Sequence, residues 1–327
     1  MLAIYYLNIP STMNVKIYIS ILSLTSSLIG NFLCIYLVSL MKKNMVFSQY
    51  QKVMYFQFGI DIIYSLSAFI LKMESVLLDS YHIFYLYYSD WFALTPNLSR
   101  ILVTFNLYML YTNIGFSCTC FIYRCLLSNN SLTKKYVKNN VVLIYGITFI
   151  WPVLILLLFN YSYDSKIGVH FMYEYNLEYN IVDSIITATS ITLAWDFWTP
   201  QYLATICVSV GYVGTIYSIV FIRMFQYAKH FSNISKNMST KTKKLHMELT
   251  KILFFCTCMP IALCGTPLMI YIALIPTKLE IVTNLGSYVV LLASFCPAMN
   301  SIGFIMLSSN NRRVIKKILT NKSTHTR

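Results

Sequence analysis

The stretch Ile101-LVTFNLYMLYTNIGFSCTCFI-Tyr123 holds neither an acid nor a base and lies between Arg100 and Arg124. About 20 mostly apolar residues are what a helix needs to cross the hydrocarbon of a bilayer, and lipid offers the backbone no partner outside the helix itself. Its polar residues are not scattered. At roughly 100° per residue, Asn106, Asn113, Ser117, Cys120 and Arg124 fall along one line. Such a line has to face other helices, where it serves as interhelical glue or as working surface. On the second reading Asn106 and Asn113 floor a ligand pocket at the outer end, and Arg124 is a switch at the inner end.

Working outward, comparable apolar runs occupy Tyr18 to Met41, Val53 to Lys72, Asn140 to Asn160, Tyr202 to Phe225, Ile252 to Ile275 and Ile281 to Leu307. The chain is 57% hydrophobic and only 11% charged, too little charge for a soluble domain of 327 residues. The expected fold is therefore an all-α membrane protein, a single seven-transmembrane helix bundle over residues 1–327 with a basic tail at 308–327.

Orientation follows from the basic residues. They concentrate in the loops after the first, third and fifth spans and in the tail, with Lys42, Lys43 and Lys52, then Lys134, Lys135 and Lys138, then Lys236 to Lys251, then Arg312 to Lys322. Positive loops mark the cytoplasm, so the N-terminus is expected outside and the C-terminus in the cytoplasm. The net charge of +14 then reflects topology, with membrane lipid as its partner and no nucleic acid. Ile181 to Trp195 is too short and too polar for an eighth span, and counting it would place the basic tail outside. No cleavable signal precedes the first span, which is expected to insert as a signal anchor.

Asp61 sits inside the second span, where an ionisable group is costly and by default functional. Asn31, Ser294 and Asn300 are its candidate partners in a polar cluster that holds sodium, a proton or water. Pro152, Pro260, Pro267 and Pro297 each remove a backbone hydrogen bond and kink their spans. All nine cysteines lie in or at the ends of spans, so no disulfide is expected to tie the outer loops. Cys118-Thr-Cys120 and Cys256-Thr-Cys258 point their thiols to different sides of a helix, and they read as packing residues, with no metal and no cofactor. The long outer loop from Asn160 to Gln201 is rich in acids and aromatics, and as a lid it would favour cationic or aromatic ligands, with Trp195 a candidate contact. Asn97-Leu-Ser99 and Asn160-Tyr-Ser162 are candidate glycosylation sequons on the outer side.

The stretch Lys236-NMSTKTKKLHMELT-Lys251, with Pro260 nine residues on, resembles the third inner loop and sixth span of nematode serpentine chemoreceptors, most closely class delta (Srd) of the Str superfamily. Gln57-Phe-Gly-Ile-Asp61, Phe121-Ile-Tyr123-Arg124, Trp151-Pro152 and Asn311-Arg-Arg313 add to the resemblance. It implies a G-protein-coupled receptor for small external chemical cues in the plasma membrane of sensory neuron cilia. By the same resemblance, Tyr123, Arg124, Lys241, Lys243, Lys244 and His246 would meet a heterotrimeric G protein. Cys125 follows Arg124 where the family often has an aromatic, no acid precedes it, and Pro297-Ala-Met-Asn300 replaces an Asn-Pro-x-x-Tyr pattern. The competing class is a ligand-gated ion channel or a transporter of small solutes, which would show repeated halves or several buried charges. An enzyme is not expected, since the spans hold no paired catalytic acids, His-rich metal set or Ser-His arrangement.

Overall fold

The computed structural model describes residues 9–40, 45–78, 81–86, 96–127, 134–161, 191–234, 236, 239–277 and 280–324. Spans one to five are the helices α1 (Ile9–Ser39), α2 (Met45–Leu71), α3 (Pro96–Leu127), α4 (Lys134–Tyr161) and α5 (Pro200–Ile234). Six of the described spans are long and apolar enough to cross a membrane, and α4 contributes a shorter apolar run, Tyr145–Tyr161. Most of these helices extend beyond the apolar runs, because polar turns at the ends of a span meet water and headgroups without breaking the hydrogen-bond ladder.

The last two spans are interrupted where proline falls. Span six runs as α6 (Thr240–Pro260), a single π turn (Ile261–Gly265) and α7 (Thr266–Leu274), with Pro267 in the first turn after the π segment. Span seven breaks at Phe295 into α8 (Glu280–Ser294) and α9 (Cys296–Leu307), where Pro297 has no N–H to give to the ladder. Pro152 lies inside α4 without ending it. A tail helix, α10 (Ser309–Thr324), follows.

Helix α3 is the centre of the bundle. It packs against α2, α4, α5 and α6, and α9 closes the ring against α1 and α6. Its apolar window is 67% buried, against 28% to 50% for the other spans. Burial is inside-out relative to a soluble protein. On α1 the buried line is Ser23, Ser27, Asn31, Cys34 and Val38, while Leu22, Ile29, Phe32 and Tyr36 are exposed. Lipid takes the apolar side chains, and the polar ones turn inward to find partners. On α3 Asn106, Asn113, Ser117 and Cys120 are all at most 4% exposed, which places the sequence stripe on the interior face.

The structure adds a feature outside the helical expectation, a three-stranded antiparallel sheet at the end of the bundle where α2 finishes and α3 begins. It comprises β1 (Met73–Leu78), β2 (Tyr81–Leu86) and β3 (Ile191–Asp196) in the order β1-β2-β3. Strand register pairs Ser75 with Phe84 and His82 with Trp195, so these four side chains share one face of the pleat. Segment 181–195, rejected as a span, enters the described residues only as β3; residues 162–190 of the long outer loop lie outside them.

Candidate functional site

The buried centre of the bundle is built around Asp61, which is completely inaccessible. Its Oδ1 accepts from Gln57 Nε2 one turn earlier (2.8 Å), from Asn113 Nδ2 of α3 (2.5 Å) and from Asn300 Nδ2 of α9 (3.4 Å); Asn300 also reaches Oδ2 at 3.4 Å. Three donors on one carboxylate oxygen are what make a buried carboxyl tolerable in such a place. The network continues to span one. Ser65 Oγ donates to the Asp61 carbonyl (2.8 Å) and shares a hydrogen bond with Ser27 Oγ (2.6 Å), to which Asn31 Nδ2 donates (3.0 Å). Spans one, two, three and seven thus meet in one polar hub. Among the described residues the buried Oδ1 atoms of Asn31, Asn113 and Asn300 have no hydrogen-bond partner, so the hub holds spare acceptors of the kind a monovalent cation or water uses. Ser294 belongs to a separate pair. Ser23 Oγ donates to its carbonyl (2.8 Å) and Ser294 Oγ donates to Ser23 Oγ (3.3 Å).

Above the hub, a small cleft lies between spans one, two, three and seven. Lys16 and Lys72 are its charged lining residues, and Tyr64, Asn106 and Ser287 add polar groups to walls of Leu24, Leu110, Val290 and Leu291. Asn106 Oδ1 accepts from Ser67 Oγ (3.2 Å).

Beside this cavity the inner face of the sheet forms a plug. His82 is 7% exposed, with one ring nitrogen sharing a 2.7 Å hydrogen bond with Ser75 Oγ and the other bonded to the Tyr202 hydroxyl. Its ring lies 5.8 Å from Tyr271 of span six, 5.8 Å from Tyr202 and 4.5 Å from Phe84. Burial pushes the imidazole down to about 3 from an ordinary 6.5, because water no longer stabilises the charged form. Trp195 is 1% exposed, stacks on Tyr202 (5.6 Å, 23°) and donates Nε1–H to the Phe159 carbonyl (3.0 Å). Strand β1 is tied to span seven, where Ser287 Oγ donates to the Ser75 carbonyl (3.0 Å).

At the end of the bundle opposite the sheet Tyr123 is half-buried, and Lys243 lies on α6. The side chains of Arg124, Lys241, Lys244 and His246 are outside the described residues. Glu248 joins span six to the tail helix, with Oε1 accepting from Ser309 Oγ (2.7 Å) and Oε2 from the Ser309 N–H (3.2 Å).

Residues 16–316 match the family described as serpentine type 7TM GPCR chemoreceptor Str. The chain belongs to this Str family. Among solved structures, the crystal structure of squid rhodopsin is similar, with a TM-score of 0.56 at 13% identity over 94% of this chain and 86% of that one, a likeness of fold alone. No curated protein matches the sequence.

In this Str chemoreceptor the structure brings Asp61, Asn113 and Asn300 together and sets Asn31 two hydroxyls away. Asn106 lines the cavity, whereas Asn113 belongs to the hub beneath it and Trp195 to the plug. Asn97 is exposed, while the Asn160 side chain accepts from Arg100 Nε (2.7 Å) and donates to the Leu156 carbonyl (2.9 Å). All nine cysteines are free. Among the described residues no group of three His, Cys, Asp or Glu stands ready for a metal. Sequence reading did not single out Gln57 as a ligand of Asp61, Lys72, or the Ser75–His82–Tyr202 group. The alternation of His82 and Phe84 next to a run of turn residues was a signal for the strand. Nothing local pointed to the partners of His82, which come from another strand and another span.

Proposed function

We propose that this Str-family protein is a chemosensory G-protein-coupled receptor that binds an external small molecule in the outer half of its bundle and activates a heterotrimeric G protein at its inner face. The observation that carries this reading is the match to the family over residues 16–316. The hub of Asp61, Asn113 and Asn300 supports it, because one carboxylate links three spans below an outward cavity, and any change in the cavity that rotates one span strains the other two. The basic inner loops favour an outside N-terminus in the plasma membrane. Tyr123, Arg124, Lys241, Lys243, Lys244 and His246 are the residues assigned to the G-protein face. Resemblance to class delta rests on the Lys236 to Lys251 stretch, and placement in sensory cilia rests on family resemblance.

The test is a G-protein dissociation assay in cells expressing the chain, screened with volatile and water-soluble small molecules, with Arg124→Ala as control. The expected result is a ligand-dependent response lost in Arg124→Ala at equal surface expression. A purified receptor with a verified ligand that activates no G protein overturns the reading, as does solute or ion flux through liposomes holding this chain alone.

A further inference from the structure

We infer that the external ligand of this receptor is an uncharged nitrogen heteroaromatic ring, and that the His82 imidazole holds its seat in the closed plug as a tethered competitor. This deepens, and rests on, the reading of the chain as a receptor for an external small molecule.

His82 is held as a bound molecule would be. One ring nitrogen meets Ser75 Oγ (2.7 Å) and the other the Tyr202 hydroxyl, so in the neutral ring one nitrogen donates and the other accepts. Flat faces surround it, with ring centroids 4.5 Å away for Phe84, 5.8 Å for Tyr202 and Tyr271, and 6.5 Å for Trp195. None of these contacts is charged, and burial keeps the imidazole itself neutral down to about pH 3. A charged ligand would give up its water there and meet no counter-charge among them. A neutral azole, with one ring N–H and one bare ring nitrogen, meets every group that His82 meets. Of the cationic and aromatic ligands expected of the outer lid, only the aromatic kind suits this seat.

The occupant comes from strand β2, outside the spans, whereas Tyr202 and Tyr271 belong to spans five and six. Withdrawing the imidazole therefore leaves the backbone ladders of the spans intact. A tethered occupant has the advantage of a high effective concentration, so an external ring needs a contact that His82 does not make. Tyr271 offers one. It is 1% exposed, and its hydroxyl, beside Ser75, makes no hydrogen bond of ordinary geometry among the described residues. An oxygen acceptor carried on the ring would satisfy it. Displacement also reaches the bundle, because Ser75 joins span seven. Its carbonyl accepts from Ser287 Oγ (3.0 Å), and it packs so closely on Gly286 that a Cβ there would stand 2.7 Å from Ser75 Oγ. His82 thus ties span five to span seven through Ser75, and a ligand that takes its place cuts that tie.

The experiment is direct binding to purified full-length receptor in nanodiscs of neutral phosphatidylcholine at pH 8. It compares methyl imidazole-4-carboxylate with methyl thiophene-3-carboxylate, which lacks the ring nitrogens, and with the 1,3-dimethylimidazolium cation. The imidazole ester is expected to bind saturably and to accelerate hydrogen exchange of the β2 amides, and the other two to do neither. His82→Ala vacates the seat and should tighten the ester by about tenfold or more, since the competing closed state is removed. Tyr271→Phe deletes a hydroxyl that the closed plug does not use, so it should leave the unliganded thermal midpoint in place and weaken the ester by about tenfold, the scale of one lost hydrogen bond. It therefore tests the seat even where His82→Ala fails to fold. Equal binding of the thiophene ester, β2 exchange that slows with ligand, or ester affinity unchanged in both variants overturns the inference. So does binding to His82→Ala with none to the wild type, which would make the seat a core position only. No G protein enters this assay, so binding without signalling overturns only the receptor reading. Signalling by another ligand, indifferent to Tyr271→Phe and without binding of the imidazole ester, overturns only the seat.

Discussion

Asp61 and His82 are both buried polar side chains, yet their surroundings assign them different work. Asp61 concentrates three donors on one oxygen and leaves three asparagine oxygens nearby without partners. Sodium is expected to lower agonist potency in the wild type and to leave Asp61→Asn unaffected, as read from dose-response curves in sodium against choline buffer. Equal salt responses in the two proteins would assign the hub to water. His82 is neutral and wedged among Phe84, Trp195, Tyr202 and Tyr271. Its pKa is about 3 when folded and 6.5 when free, so between those values the opened plug binds a proton that the closed plug refuses. The stability that His82 contributes is complete above pH 6.5 and is lost as pH falls toward 3, at about 1.4 kcal/mol per pH unit in that window. Hydrogen exchange of the β2 amides is expected to accelerate on acidification across that window, and His82→Phe should flatten the dependence.

At the scale of elements, the contacts that set the bundle are close approaches of helices far apart in sequence. Gly30 on α1 faces Ser301 on α9, and a Cβ at Gly30 would stand 2.1 Å from the Ser301 oxygen and 2.8 Å from its Cβ. Gly30→Ala is expected to destabilise the receptor by about 1–3 kcal/mol, the cost of overpacking, and Ser301→Gly should restore part of the lost thermal midpoint in the double variant. At the end opposite the sheet, Glu248 holds the first N–H and hydroxyl of α10 to span six, where a carboxylate also complements the helix dipole. Any outward swing of the inner end of span six has to break this contact. Glu248→Ala is therefore expected to raise basal G-protein activation by about two- to fivefold, the equivalent of roughly 0.5–1 kcal/mol for a half-exposed contact. Unchanged basal activity would leave Glu248 with a capping role alone.

For the whole molecule, the sheet is held to the bundle by packing and hydrogen bonds, since every cysteine is free. Reductant is accordingly expected to leave both the thermal midpoint and ligand response unchanged, whereas Trp195→Ala, which removes the Phe159 contact and the stack on Tyr202, should lower the midpoint by about 3–5 kcal/mol equivalent. The amino-acid sequence by itself determined the membrane character, the apolar spans, the proline positions where spans six and seven break, and the inward face of α3, because each depends on length, composition or a period of 3.6 residues. Gln57 to Asp61 was of that local kind as well, four residues apart on one helix face. The rest of the site was decided only by tertiary structure. Asp61 meets Asn300 across 239 residues, and Ser75 meets Ser287 across 212. Lys16 and Lys72 come to one cavity only through the rotation of α1 and α2 about their own axes. Those rotations are set by the summed packing of several helices and one sheet, a quantity that no window of sequence contains.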